Sequence, residues 1–266
     1  MFVGRFLNLI KKFLKYNFHL ALAAAIAINI PIYTIANYAI STIILLNAIA
    51  FFSTLASYNY YRRNSRPTWL IPLVLTGIFY LLLGIDSMLL LTLNIVICLI
   101  YQSPIKWLNM RRNAIAKPLL ISICWINTIF LLPLLVNINE APLYLPESLI
   151  PALYCNQLLL FLALCLVTDL TQVKLDKIKG LQSYPVKYGI RTTQYTILLL
   201  GCSQLMLAWV YYHHFSNPKM AIFQAIQFLG LTVLVSITRT NALQKTTAIL
   251  ADIFIGLVGI LFFLMQ

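Results

Sequence analysis

Three polar side chains in the segment TDLTQVKLDKIKG have the types and spacing of a divalent-cation site. Asp169, Gln172 and Asp176 lie at positions i, i+3 and i+7, so on a helix they share one face. Proteins hold Mg²⁺ through one or two carboxylates, together with substrate phosphates and waters. Lysines in and after this segment can contact phosphate directly. The alternative is a charged loop whose lysines face anionic lipid, and the spacing alone leaves both interpretations open.

The elements that must position these residues are apolar. Of the 266 residues, 61% are hydrophobic and 9% are charged, whereas a soluble domain has about 25% charged residues. A membrane-spanning helix needs about 20 apolar residues. The sequence therefore predicts one polytopic, all-α membrane domain over 1–266, without nucleic-acid partners. Its nine predicted spans lie near 18–37, 39–60, 68–85, 87–104, 118–136, 148–168, 192–213, 220–238 and 247–265.

The distribution of basic residues predicts the orientation of the chain. Segment 1–17 is predicted to be an amphipathic helix on the membrane surface. With a cytoplasmic N-terminus, 18 of the 19 Lys and Arg residues fall on the inside, and Lys219 alone falls outside. Basic residues concentrate on the cytoplasmic side, so we predict this orientation, in a bacterial inner membrane. Arg111, Arg112 and Lys117 are interpreted as part of the same topology signal.

The segment after span six resembles the second aspartate-rich motif of the UbiA superfamily of intramembrane prenyltransferases. That motif reads approximately Asp-x-x-Asp-x-x-x-Asp-Lys-x-x-Gly, followed by Thr-Leu-Pro-Val and a Gly. Gln172 replaces the middle aspartate, and Ser183–Tyr184 replaces Thr-Leu. The resemblance implies a UbiA-like bundle of nine transmembrane helices, with both aspartate-rich motifs at the cytoplasmic face. The residues that match in order and spacing are Asp169, Asp176, Lys177, Gly180, Pro185, Val186 and Gly189.

The first aspartate-rich motif of the superfamily is missing at the end of span two. Asn59 matches its opening asparagine, but Tyr60, Arg63 and Pro67 occupy the three aspartate positions. In the family each motif binds a magnesium ion, and the two ions together hold the prenyl diphosphate. The resemblance therefore implies Mg²⁺ as cofactor, with fewer ions than in the family and with the three polar residues of the second motif as ligands.

Basic and polar residues near both motifs are candidates for holding the diphosphate. Arginine binds phosphate bidentately, so the arginines after span two can act as a clamp or can simply anchor the helix end. The resemblance also implies a supporting role for a Tyr and a Lys after span four. The predicted diphosphate-binding set is Asn59, Arg62, Arg63, Arg66, Tyr101, Lys106 and Lys177.

Two hypotheses for function follow from this resemblance. The first is a membrane prenyltransferase that moves an isoprenyl chain from a prenyl diphosphate to an aromatic or lipid-like acceptor at the cytoplasmic face. Its partners would be the prenyl diphosphate, a hydrophobic acceptor and membrane lipid. The degenerate motif keeps a second hypothesis open, a non-catalytic protein of the same fold that binds an isoprenoid or lipid, or acts as a scaffold. Asp252 lies inside a predicted span and matches no motif.

Overall fold

Every regular element that the structure describes is helical. The computed structural model describes residues 17–30, 32, 38–62, 68–105, 107–137, 150–215, 218–238, 250–251 and 253–257. The predicted surface helix over 1–17 lies outside them except for Asn17. The helices are α1 (Phe18–Ala27), α2 (Ile40–Arg62), α3 (Leu70–Leu83), α4 (Ile85–Tyr101), α5 (Ala116–Ile126), α6 (Leu132–Asn137), α7 (Ile150–Ile178), α8 (Tyr184–Tyr188), α9 (Ile190–Phe215) and α10 (Pro218–Ile237).

Four helical stretches are long and apolar enough to cross a membrane. They are Ile40–Tyr60, Ala116–Val136, Ile150–Ile178 and Ile190–Val210. Shorter apolar helices overlap four more predicted spans: Phe18–Ala27, Leu70–Leu83, Ile85–Tyr101 and Ile222–Ile237. Residues 253–257 are helical and lie within the ninth. The all-α membrane fold is thus confirmed, whereas the number of nine spans stays a prediction.

A glycine separates the two short helices α3 and α4. Gly84 has φ +108°, a conformation that a side chain disfavours and glycine accepts. The hydroxyl of Ser87 donates hydrogen bonds to the carbonyl oxygens of Tyr80, at 2.8 Å, and of Gly84, at 2.6 Å. These bonds hold the turn, and α3 and α4 pack against each other.

A π-helical turn between α5 and α6 interrupts the span that they form. It covers Asn127–Leu131 and ends two residues before Pro133, which has no N–H to donate to the preceding turn. Asn127 Nδ2 donates to Asn94 Oδ1 at 3.0 Å, and Asn94 Nδ2 donates to Thr128 Oγ1 at 3.3 Å. The widened turn therefore links α5 to α4, a feature that the apolar pattern did not predict.

Helix α7 is the central element, and it contacts α5, α8, α9 and α10. Buried amides fix its position: Asn156 Nδ2 donates to Gln224 Oε1 at 2.6 Å, and Gln204 Nε2 donates to the Asn156 carbonyl at 3.2 Å. Polar side chains bond across helices in membrane bundles because lipid offers them no partner. The C-terminal part of this anchored helix carries Asp169, Gln172 and Asp176.

Candidate functional site

The C-terminal end of α7 presents two buried carboxylates. Asp169 and Asp176 are 4% and 2% exposed, and they lie on one face of the helix as their spacing predicts. The helix ends at Ile178, Gly180 follows with φ +64°, and the Leu181 N–H donates to the Asp176 carbonyl at 2.9 Å. This is the bonding pattern of a glycine-terminated helix, and it fixes the backbone beside Asp176.

A buried lysine joins the two carboxylates. Lys117, the second residue of α5, is 6% exposed. Its Nζ lies 2.6 Å from Asp169 Oδ1 and 3.1 Å from Asp176 Oδ2. A charge buried without a partner is strongly destabilising. The lysine and the two carboxylates therefore stabilise one another as buried charges. The interpretation of Lys117 as a topology signal missed this role.

The sequence contains a signal for the role of this lysine, but the signal is not specific enough to select it. Two carboxylates that face a membrane bundle need a cationic partner, and Lys117 directly precedes Pro118 at the start of an apolar helix. The chain has 19 Lys and Arg residues, however, and the partner lies on another helix. Only the packing of α5 against α7 selects it.

A cavity of about 400 Å³ opens beside this cluster. Its lining includes charged residues of and near the cluster, whereas its walls are mostly apolar and aromatic. The rings of Trp125 and Phe161 stack at 5.2 Å, and Tyr58 meets Trp125 edge-on at 6.5 Å. The shape suits a ligand with a polar head and an apolar tail. The ionisable and amide residues near the cluster that line the cavity are Tyr101, Arg111, Lys117, Asp169 and Gln172.

The structure brings together only part of the predicted site. Asp169, Gln172 and Tyr101 line the cavity, and Asp176 meets Lys117 beside it. Lys177 is exposed and does not line the cavity, because consecutive helix residues point about 100° apart. Four predicted diphosphate-binding residues lie outside the described residues or side chains: Arg62, Arg63, Arg66 and Lys106. Asp252, which had no predicted role, also lies outside them.

Asn59, a predicted diphosphate-binding residue, is buried against the residue that precedes α1. It is 3% exposed, does not line the cavity, and its Oδ1 accepts a hydrogen bond from Asn17 Nδ2 at 3.0 Å. Replacing Asn59 with Ala is expected to lower the free energy of unfolding by about 1–3 kcal/mol, because a buried donor loses its acceptor. Thermal unfolding in detergent measures this loss, and the affinity for a prenyl diphosphate should not change. Weakened binding at unchanged stability would place Asn59 in the binding site after all.

The cluster, as it is arranged, does not fit a magnesium ion. Mg²⁺ requires near-octahedral oxygen ligands at about 2.0–2.1 Å, and the Lys117 ammonium already lies between the two carboxylates. Within the described ranges, no group of three or more His, Cys, Asp or Glu side chains could hold a metal. Asp169 Oδ2 is buried and has no hydrogen-bond partner there, so one acceptor atom remains for a ligand.

Solved structures share this architecture over nearly the whole chain. No protein-family model and no curated protein matches the sequence. A digeranylgeranylglyceryl phosphate synthase structure is 16% identical, with a TM-score of 0.61, over 95% of this chain and 98% of that one.

Two further structures are of a UbiA homologue from Archaeoglobus fulgidus, and each match covers 91% of this chain and 94% of that one. The structure bound to Cd²⁺ is 15% identical with a TM-score of 0.64, and the structure bound to GPP and Mg²⁺ is 14% identical with a TM-score of 0.63. By these likenesses and its apolar helices, the chain is an integral membrane protein with the UbiA fold.

Proposed function

We propose that this chain binds a prenyl diphosphate in the cavity and transfers its isoprenyl chain to an aromatic or lipid-like acceptor. The observation that carries the proposal is the cavity itself, with charged and polar residues near the Lys117 cluster and apolar, aromatic walls. GPP, which the Archaeoglobus fulgidus homologue binds, has the same division into a charged head and an apolar tail. The head would lie at the cytoplasmic face, as the charge distribution predicts.

The residues present can support each part of this reaction. The carbon–oxygen bond to the diphosphate breaks, the diphosphate leaves with the electron pair, and the acceptor forms the new bond to the isoprenyl carbon. Aromatic faces stabilise positive charge, and Tyr58, Trp125 and Phe161 supply them along the cavity. Asp169 Oδ2 is free to accept the proton that the acceptor loses. Arg111 would hold the diphosphate together with the predicted basic residues after spans two and four.

Arg111 and its neighbour Arg112 give a matched test of this proposal. Both belong to the short 3₁₀ helix Met110–Arg112, but Arg111 lines the cavity, whereas Arg112 is exposed. A hydrogen bond to a charged group contributes about 1.5–3 kcal/mol. In nanodiscs, Arg111→Gln should therefore weaken the binding of tritiated geranyl diphosphate about tenfold or more, and Arg112→Gln should leave it unchanged. No binding to the wild type, or equal losses in both variants, would contradict the proposal.

A second function, an isoprenoid-binding protein without catalysis, is favoured by the carboxylate pair. Both carboxylates are engaged by Lys117, so they are not open to a metal that would assist departure of the diphosphate. Release of diphosphate from bound geranyl diphosphate, measured with and without an aromatic acceptor, separates the two functions. Acceptor-dependent release supports the transferase, and binding without release supports the non-catalytic protein.

A further inference from the structure

We infer that the Lys117 ammonium takes the place of a divalent cation in this bundle, so that the cavity binds its isoprenyl ligand without metal. The inference deepens the proposed function and rests on it for the identity of the ligand. Its first support is position, because Nζ lies within 3.1 Å of one oxygen from each carboxylate of the second motif. One buried side chain thus binds one oxygen of each carboxylate that would otherwise be a metal ligand.

The lysine also has an N–H donor that the two carboxylates do not use. An ammonium group has three N–H donors and no acceptor. Two of them serve Asp169 Oδ1 and Asp176 Oδ2, and the third has no partner among the described residues. Because Lys117 also lines the cavity, this third donor can bind an oxygen of the ligand's head group. Through its three N–H groups, the lysine can then link the two carboxylates to an oxygen of the ligand. A divalent cation held by the same carboxylates would link them to the ligand in the same way.

The buried ammonium also excludes a competing divalent cation. A divalent cation between the same oxygens would have to displace an ammonium of like charge from a position that is 6% exposed. The first motif offers no substitute site, since its aspartate positions hold Tyr60, Arg63 and Pro67. The Lys117 ammonium carries one positive charge, whereas a divalent metal ion in its place would carry two. The diphosphate therefore needs additional cations, and Arg111 lines the same cavity.

Manganese titration tests this inference without any isoprenyl ligand. The protein in nanodiscs of uncharged phosphatidylcholine is titrated with Mn²⁺ and followed by electron paramagnetic resonance, with empty nanodiscs as background. The wild type should bind no stoichiometric Mn²⁺, whereas Lys117→Met should bind one ion and lose it when Asp169→Asn is added. Lys177→Met is the matched control, because it removes an exposed lysine next to Asp176 and should gain no site.

Two results would overturn the inference. One is a wild type that binds one Mn²⁺ and loses it in the Asp169→Asn/Asp176→Asn variant, a result that needs no lysine variant to fold. The other is a folded Lys117→Met protein that binds no Mn²⁺, because the carboxylates would then form no site even without the lysine.

The ligand gives a second, independent measurement. The affinity of the wild type for geranyl diphosphate should change less than twofold between buffer with EDTA and buffer with Mg²⁺. A loss of more than tenfold in EDTA would overturn the inference. If geranyl diphosphate binds in neither buffer, the proposed function fails, and the Mn²⁺ titration still decides whether Lys117 occupies the cation position.

Discussion

Replacing Lys117 with methionine is expected to lower the free energy of unfolding by about 3–5 kcal/mol in metal-free buffer, because it leaves buried carboxylates without their cation. Asp169 and Asp176 are 4% and 2% exposed, so water solvates both carboxylates poorly once the ammonium is gone. Methionine is unbranched like lysine and fills a similar apolar volume, which limits the change to the charge. Thermal and denaturant unfolding in detergent, at fixed pH, measure the loss.

Two further variants show whether the charge causes the loss. Lys117→Met/Asp169→Asn/Asp176→Asn removes all three charges and should recover most of the stability, since neutral replacement of a buried ionic cluster is often nearly neutral in energy. Lys177→Met changes an exposed residue and should stay within about 0.5 kcal/mol of the wild type. A Lys117→Met protein as stable as the wild type would mean that the cluster contributes nothing to folding.

The sequence predicts the spans well because each is a local property. Apolar segments of about 20 residues require helices in a membrane, and the described helices overlap the predicted spans. The helix stop at Gly180 and the break at Gly84 are also local, since both residues have positive φ. The shared face of Asp169 and Asp176 follows from helix geometry. These features need no information about which helices are neighbours.

The parts of the site that the sequence does not predict depend on contacts between helices. In the sequence, no specific signal distinguishes Lys117 from the other basic residues. Its contact with Asp169 follows from the packing of α5 against α7. Asn59 is the residue type that the family motif has at this position, yet its side-chain oxygen accepts a hydrogen bond from Asn17, just before α1. A motif match cannot show that partner. The π-helical turn at Asn127–Leu131 is likewise fixed by hydrogen bonds to another helix.

Filling the cavity at Cys165 is expected to abolish most of the binding while leaving every charge of the Lys117 cluster in place. Cys165 lies on α7 and lines the cavity, where it accepts a hydrogen bond from Ser122 Oγ at 3.6 Å. A tryptophan at this position would occupy space that the isoprenyl tail needs. Excluding about four tail carbons from burial costs about 3 kcal/mol at roughly 0.8 kcal/mol each. The affinity for geranyl diphosphate in nanodiscs should therefore fall about a hundredfold.

The same helix provides the matched control for this substitution. Cys155 also lies on α7 but is exposed on the outside of the bundle, so Cys155→Trp adds the same ring where lipid can accommodate it. It should leave the affinity unchanged, and inorganic diphosphate should bind equally well to both variants if the head-group site is intact. Equal affinities for geranyl diphosphate in Cys165→Trp and Cys155→Trp would place the tail outside this cavity. Both substitutions leave every charge in place, so a loss of affinity for geranyl diphosphate with unchanged affinity for inorganic diphosphate reports the tail, and Arg111→Gln then reports the head group independently.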